Sequence, residues 1–181
     1  MRPNNRKGAN KFFKSFRKSL KYSFDNYWHT MIHNDISLTS KSGGNKLRTF
    51  RKFKQVISYE KYLDLNDIER RKNIAKLRIS AHKLRIETER FNNKHSYIPH
   101  EERFCQNCEI NKTEDELHFI IECSKYQSLR DELFTKCVIY NKHFKDYNND
   151  AKFIWLMSNE NLRHLNSLGE FINGALKIRM N

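Results

Sequence analysis

The sequence predicts a mainly α-helical fold, a small helical domain with an inserted Cys-Cys-His-Cys loop. Three observations carry this expectation. With 5 Gly and 2 Pro in 181 residues, the chain has few turn formers, a composition suited to helices rather than to a sandwich of many short strands. Apolar side chains recur at three or four residues along much of its length, the period of an amphipathic helix. Between residues 105 and 123, Cys105, Cys108, His118 and Cys123 fall in one short segment. A hydrophobic content of 38%, with 13 Phe and 8 Tyr, can supply one aromatic-rich core.

The elements follow in order. Phe13, Phe16, Leu20, Phe24, Tyr27 and Met31 form one helical stripe, with Lys14, Lys18 and Lys21 falling away from it, so the amino-terminal run reads as a basic amphipathic helix. Such a helix can pack its stripe on the rest of the fold and leave its lysines for phosphates. It can also lie on an anionic membrane, or serve as an organellar targeting segment. Tyr22 and Trp28 suit either base stacking or a core. Ser40 to Asn45, with Gly43-Gly44, reads as a loop, dividing the chain into a basic helix and linker (1–44) and a helical domain (45–181).

In that domain Phe50, Phe53, Ile57 and Tyr62 predict a short helix ending near Leu63. Asn66 and Glu69 have capping-box spacing for the next helix, with Ile68, Ile74, Ala75 and Ile79 facing inward around Arg70, Arg71, Lys72, Lys76 and Arg78. Lys83 to Phe91 continues as a further helical turn or two before Pro99. Beyond the Cys/His segment, Tyr126, Leu129, Leu133 and Phe134 mark one helix, and Phe153, Ile154, Leu156 and Met157 a second. Leu162, Leu165, Leu168, Phe171, Ile172, Ala175 and Leu176 mark a third, which Gly169 and Gly174 weaken.

Three thiols and one imidazole at Cys105, Cys108, His118 and Cys123 make a complete tetrahedral Zn²⁺ shell. The two-residue gap lets Cys105 and Cys108 face one point from a tight turn, while a short helix from Glu114 presents His118 and returns at Cys123. Four protein ligands leave no open position, so one structural ion is expected. The alternatives are reduced cysteines used as small hydrophobes, the reading given to Cys137, or a disulfide pair. No secretory signal or long apolar span implies an oxidising compartment. The nucleus or cytoplasm is expected, with organellar targeting left open.

Charge is unevenly divided. Residues 1–54 hold 14 Lys/Arg against Asp25 and Asp35, and residues 70–103 carry 10 basic and 4 acidic side chains. Such patches attract phosphate backbones or acidic surfaces, although scattered lysines also serve solubility alone. The candidate phosphate contacts are Lys14, Arg17, Lys18, Lys21, Arg70, Arg71, Lys76, Arg78, Arg90 and Arg103. Basic residues interleaved with aromatics suit unpaired bases, so RNA, single-stranded DNA or a nicked junction is expected over uniform duplex.

No phosphate-cradling, nucleotide-binding, serine-hydrolase or zinc-protease motif occurs. Glu114, Asp115 and Glu116 could hold Mg²⁺ in a nuclease, but they are adjacent rather than convergent and better serve to cap the helix of His118 or balance cations. A non-catalytic module is therefore expected. The runner-up is an adaptor docking a protein through Trp28, Trp155 or the carboxy-terminal stripe.

A longer pattern runs through Leu77 to Phe91 (LRISAHKLRIETERF), Pro99, Arg103-Phe104-Cys105-Gln106-Asn107-Cys108, Thr113 to Phe119 (TEDELHF), Cys123-Ser124-Lys125-Tyr126 and Leu129-Arg130. It resembles the carboxy-terminal tail of reverse transcriptases from LINE-type non-LTR retrotransposons. Lys46 to Phe50, Tyr59 to Leu63 and Phe153 to Ser158 extend the likeness over about residues 45–181. The resemblance implies a zinc-containing tail that helps hold element RNA or target DNA, with Cys105, Cys108, His118 and Cys123 as ligands. It also places Arg78, Arg90 and Arg103 at basic positions of the family pattern. The family's polymerase Asp-Asp element is missing, so no copying activity is carried over. Two departures are Glu89, where the family has glycine before an Arg-aromatic pair, and Ser124, where it has proline.

Overall fold

The computed structural model describes residues 6–34, 47, 49–54, 56, 58–91 and 96–180, with side chains of the first helix described from 10 to 31. The predicted loop and boundary at 40–45 lie outside the described residues, as do Ile57, Lys46 and Arg48.

The fold is mainly helical. The described residues form no strand, only the isolated bridges Phe91 to Tyr97 and Phe104 to Thr113. Among the described residues seven α-helices run in the order α1 (Arg6–Asn34), α2 (Phe50–Phe53), α3 (Ile68–Arg78), α4 (Arg85–Thr88), α5 (Gln127–Tyr140), α6 (Asn149–Ser158) and α7 (Leu162–Met180). Short 3-10 turns link several of them, and a π-helical turn spans His118–Glu122. No described helix is long and apolar enough to cross a membrane.

The carboxy-terminal helix α7 is the centre of the body. Its stripe of Leu165, Leu168, Phe171, Ile172 and Ala175 is buried, and α3 and α5 pack against it. One of the two glycines that weaken it on propensity, Gly169, has a packing role instead. A β-carbon at Gly169 would stand 2.7 Å from Cβ of Arg70, so α3 and α7 approach as closely as they do only without a side chain there.

Several local expectations shift. The predicted helix from Phe50 to Leu63 is two pieces, α2 and a 3-10 turn at Lys61–Asp64. The cap of α3 is Asp67, whose carboxylate accepts from the backbone of Arg70 at 3.0 Å, rather than Asn66. Of the residues expected to face inward, Ile74 is buried and Ala75 half-buried against the core, whereas Ile68 and Ile79 at the two ends of the helix are exposed and Leu77 is buried in addition. Helix α3 ends with Ser80 at φ 51°, and Ala81 N–H reaches back to the Lys76 carbonyl at 2.7 Å. This is the left-handed helix ending that usually takes glycine. Here the serine is buried and its hydroxyl donates to Glu116 at 2.7 Å. Glu89 has φ −109°, which any residue adopts, so glycine is not required there.

Helix α1 does not pack its stripe on the body. Phe12, Phe13, Phe16, Leu20, Phe24, Tyr27 and Met31 are each more than half exposed. Trp28 is half-buried and lies edge-to-face on Phe50 at 6.2 Å between ring centroids. On a helical wheel it sits to one side of the stripe.

Candidate metal centre

The segment from Arg103 to Glu114 folds back on itself. Cys105 N–H donates to Lys112 O at 2.8 Å and Glu114 N–H to Arg103 O at 2.9 Å. This closes a turn that aims Cys105 and Cys108 the same way, and Asn107 N–H donates to Cys105 Sγ at 3.4 Å. Asp115 then accepts the His118 N–H at 2.7 Å, starting the turn that carries the imidazole. The next turn is wider than an α-helix: Cys123 N–H bonds back to His118 O at 2.8 Å, the five-residue step of a π-helix. This swings Cys123 under the same point.

The four donor atoms of Cys105, Cys108, His118 and Cys123 lie within 4.8 Å of one another, close enough to hold a metal ion. Cys105 Sγ is 3.9 Å from Cys123 Sγ, and Cys108 Sγ is 3.3 Å from His118 Nε2. A tetrahedral ion with ordinary bonds to sulfur and nitrogen separates its donors by about 3.8 Å (S to S) and about 3.6 Å (S to N). The residues therefore fit one ion with four protein ligands, and the cluster is too tight for a polynuclear centre. The cysteines are free thiols.

Electrostatics favour a cation at this point. The Cys105 thiol is pulled down to about 3 by the hydrogen bond from Cys123, against the opposing effect of burial and with help from His118. The same contact, with burial, pushes Cys123 far up. One thiolate forms readily and the second is opposed by it; a divalent ion removes that opposition and holds both deprotonated. Behind the cluster, buried Arg130 donates to Cys123 O at 2.6 Å and Ile120 O at 2.9 Å. Burial is the main influence on this guanidinium and lowers its pKa, with Cys123 working the other way.

Two carboxylates brace the loop from outside. Glu114 is buried and receives Arg179 of α7 through Nε at 2.9 Å and Nη2 at 2.8 Å, Asn107 Nδ2 at 2.9 Å and the backbone of Arg85 at 2.8 Å. Glu116 takes Ser80 Oγ and His82 Nε2, each at 2.7 Å. The acidic run thus serves as cap and counter-charge to the protein's own groups, and does not converge on a second ion. Glu122, one turn from His118, accepts Lys112 Nζ at 2.9 Å and Asn149 Nδ2 at 3.1 Å.

The ten candidate phosphate contacts separate by location. Lys14, Arg17, Lys18 and Lys21 are exposed on α1. Arg70, Arg71 and Lys76 are half-buried on α3; Arg70 engages Asn166 and Asp67, and Arg71 the carbonyl of Leu63. Half-buried Arg90 donates to Glu87 at 2.5 Å. Arg78 and Arg103 correct the expectation, because both are buried and bound to the protein itself. Arg78 donates to Glu60 and to the Met157 carbonyl and lies over the Phe53 ring at 4.4 Å. Arg103 donates to Ile86 O at 2.6 Å and Ile98 O at 2.7 Å.

The adaptor features change place too. Trp155 packs against Phe144 and His164, and the α7 stripe is core. Arg130, Asn107, Arg179 and Glu122 were not singled out as site residues in the sequence. Glu122 alone carried a signal, standing four residues after His118 on one helical face. Compared with models of known families, with curated proteins and with solved structures, the chain matches none.

Proposed function

We propose that the protein is a non-catalytic nucleic-acid-binding module held together by one structural Zn²⁺, in the manner of the carboxy-terminal tail of a LINE-type reverse transcriptase. The soft donor set of three sulfurs and one imidazole nitrogen in tetrahedral spacing favours zinc among the common divalent ions. With all four positions taken by protein, the ion has no place for water or substrate, which suits support rather than catalysis.

The observation that carries nucleic-acid binding is α1. Lys14, Arg17, Lys18 and Lys21 are exposed beside exposed Phe12, Phe16, Tyr22 and Tyr27 on a helix touching the body at Trp28. Lysines meet phosphates, and flat aromatic faces stack on unpaired bases. Arg70, Arg71 and Lys76 on α3 and Arg90 extend the basic surface as secondary contacts.

The test compares labelled RNA, single-stranded DNA, duplex and nicked duplex at one stated salt concentration, for the full chain and for a variant with Lys14, Arg17, Lys18 and Lys21 replaced by Ser. We expect single-stranded or nicked forms to bind more tightly than intact duplex. If all four side chains contact phosphate, the variant's logarithmic salt slope on single strands falls by about 3. An unchanged slope, or no binding to any form, overturns the reading.

The exposed apolar stripe of α1 favours a second reading, a zinc-stabilised adaptor docking a protein partner. Partners that survive nuclease digestion in a pull-down would support it, whereas their loss with the nucleic acid supports the first. Contact of the same helix with an anionic membrane is the third possibility, read by flotation with acidic vesicles.

A further inference from the structure

His118 presents two ring nitrogens to two different surroundings. Nε2 faces Cys108 Sγ at 3.3 Å, on the metal side. Nδ1 is buried without a hydrogen bond, and Glu122 Oε2 stands 3.6 Å from it. The side chain of Glu122 is 13% exposed, and its other oxygen is held by Lys112 and Asn149 from two separate parts of the chain. One oxygen is thus tethered while the other faces the imidazole, about half an ångström beyond hydrogen-bond length.

We propose that Glu122 is the positioning residue of the metal centre: its carboxylate accepts the Nδ1–H of His118 and so holds the ring in the tautomer that offers Nε2 to the ion. A neutral imidazole carries one proton, and the proton's place decides which nitrogen has the free lone pair. With Nδ1 protonated against Glu122, the lone pair lies on Nε2, pointing toward the three sulfurs. A ligating histidine commonly gains orientation and basicity from such a partner. The i, i+4 spacing brings Glu122 under the ring, and the widened turn at His118–Glu122 carries both. Lys112 and Asn149 keep the carboxylate from turning out to solvent, which links the orientation of His118 to the cysteine turn on one side and to the start of α6 on the other.

This inference rests on the metal reading, and the test separates the two. Zn²⁺ affinity is measured by chelator competition on the full chain, and the visible bands of the Co²⁺-loaded protein report ligand geometry. For Glu122→Ala we expect about 10–100-fold weaker Zn²⁺ binding and altered Co²⁺ bands. Glu122→Gln keeps an acceptor oxygen and should stay within about threefold of the parent, with its Co²⁺ spectrum preserved. On the unaltered zinc-loaded chain, ¹⁵N spectra of His118 should show Nδ1 protonated and Nε2 metal-bound, a measurement independent of whether any variant folds. Metal on Nδ1, or a Glu122→Ala variant with parental affinity and spectrum, overturns the role of Glu122 alone. A parent chain that takes up neither Zn²⁺ nor Co²⁺ overturns the metal reading and this inference with it.

Discussion

In a sequence an arginine reads as surface, because its charge is costly to bury unpaired. Arg103 is nevertheless buried, its guanidinium donating to the carbonyls of Ile86 and Ile98. Arg103→Met should cost about 2–4 kcal/mol in denaturant unfolding and leave nucleic-acid affinity unchanged where both proteins are folded; an affinity loss at equal folded fraction would return it to the binding surface. His164 is also fully buried, bonded to Leu156 O at 3.2 Å. Burial, acting against that hydrogen bond, holds its imidazole below its ordinary pKa. The unfolded chain therefore takes up the proton first as pH falls. The stability contributed by neutral His164 is complete above about pH 6.5 and is lost as pH drops below that toward the depressed folded value. Protonation of the Cys/His cluster and other groups also changes stability in acid, so the informative quantity is the stability difference between parent and His164→Gln. It should move in the variant's favour from pH 7.5 to 5.5, by no more than about 1.4 kcal/mol per pH unit. A constant difference sinks the assignment.

At the scale of elements, glycines distinguish propensity from packing. Both sit inside α7, and either changed to Ala should gain about 1 kcal/mol of helix propensity. At Gly169 the added methyl meets Cβ of Arg70 at 2.7 Å, an atom fixed to the backbone of α3. We expect Gly169→Ala to be net destabilising by about 1–3 kcal/mol. At Gly174 the nearest atom is Leu129 Cδ1 at 3.0 Å, the far end of a flexible side chain, so Gly174→Ala should be close to neutral. Equal melting temperatures for the two variants would contradict this ordering. Legibility followed the same division. Helix α7 could be read because its stripe of large apolar residues runs uninterrupted for several turns. In helix α3 the inward places of Ile74 and Ala75 were legible, but Ile68 and Ile79 lie at ends where the core no longer covers them, and of the two good capping residues only Asp67 engages the helix. The split between α2 and the turn at Lys61 left no mark in the spacing of Phe50, Phe53 and Tyr62. The Cys/His cluster was legible because metal chemistry needs particular residue types at short spacing, and the structure brings those four donors together. The pair Glu114 with Arg179 was not, because its partners lie 65 residues apart, and Arg130 was not, because an arginine in a helical pattern reads as surface until the fold shows the carbonyls it meets.

Across the whole molecule, the Cys/His loop is built into the body while helix α1 stands largely apart from it. The metal loop is tied to α7 through Glu114 and Arg179, to α5 through Arg130 and Cys123, and to the turn after α3 through Glu116, Ser80 and His82. Each link is a buried or half-buried polar contact whose geometry depends on the loop holding its shape. Loss of the ion should therefore reach well beyond residues 105–123. Helix α1, in contrast, meets the body at Trp28 and Phe50 and shares none of these links. We expect a strong chelator to lower the melting temperature and helical signal of the body cooperatively, with recovery on returning Zn²⁺, because site-binding energy here is folding energy. Cys123→Ser should reproduce the chelated state and reduce bound zinc from about one per chain to near zero. The α1 variant lacking Lys14, Arg17, Lys18 and Lys21 should keep its zinc and its melting temperature while losing affinity for nucleic acid. If chelation left the melt unchanged, the ion would be an ornament on a fold already complete without it; if the α1 variant lost zinc, the separation of the two functions would be wrong.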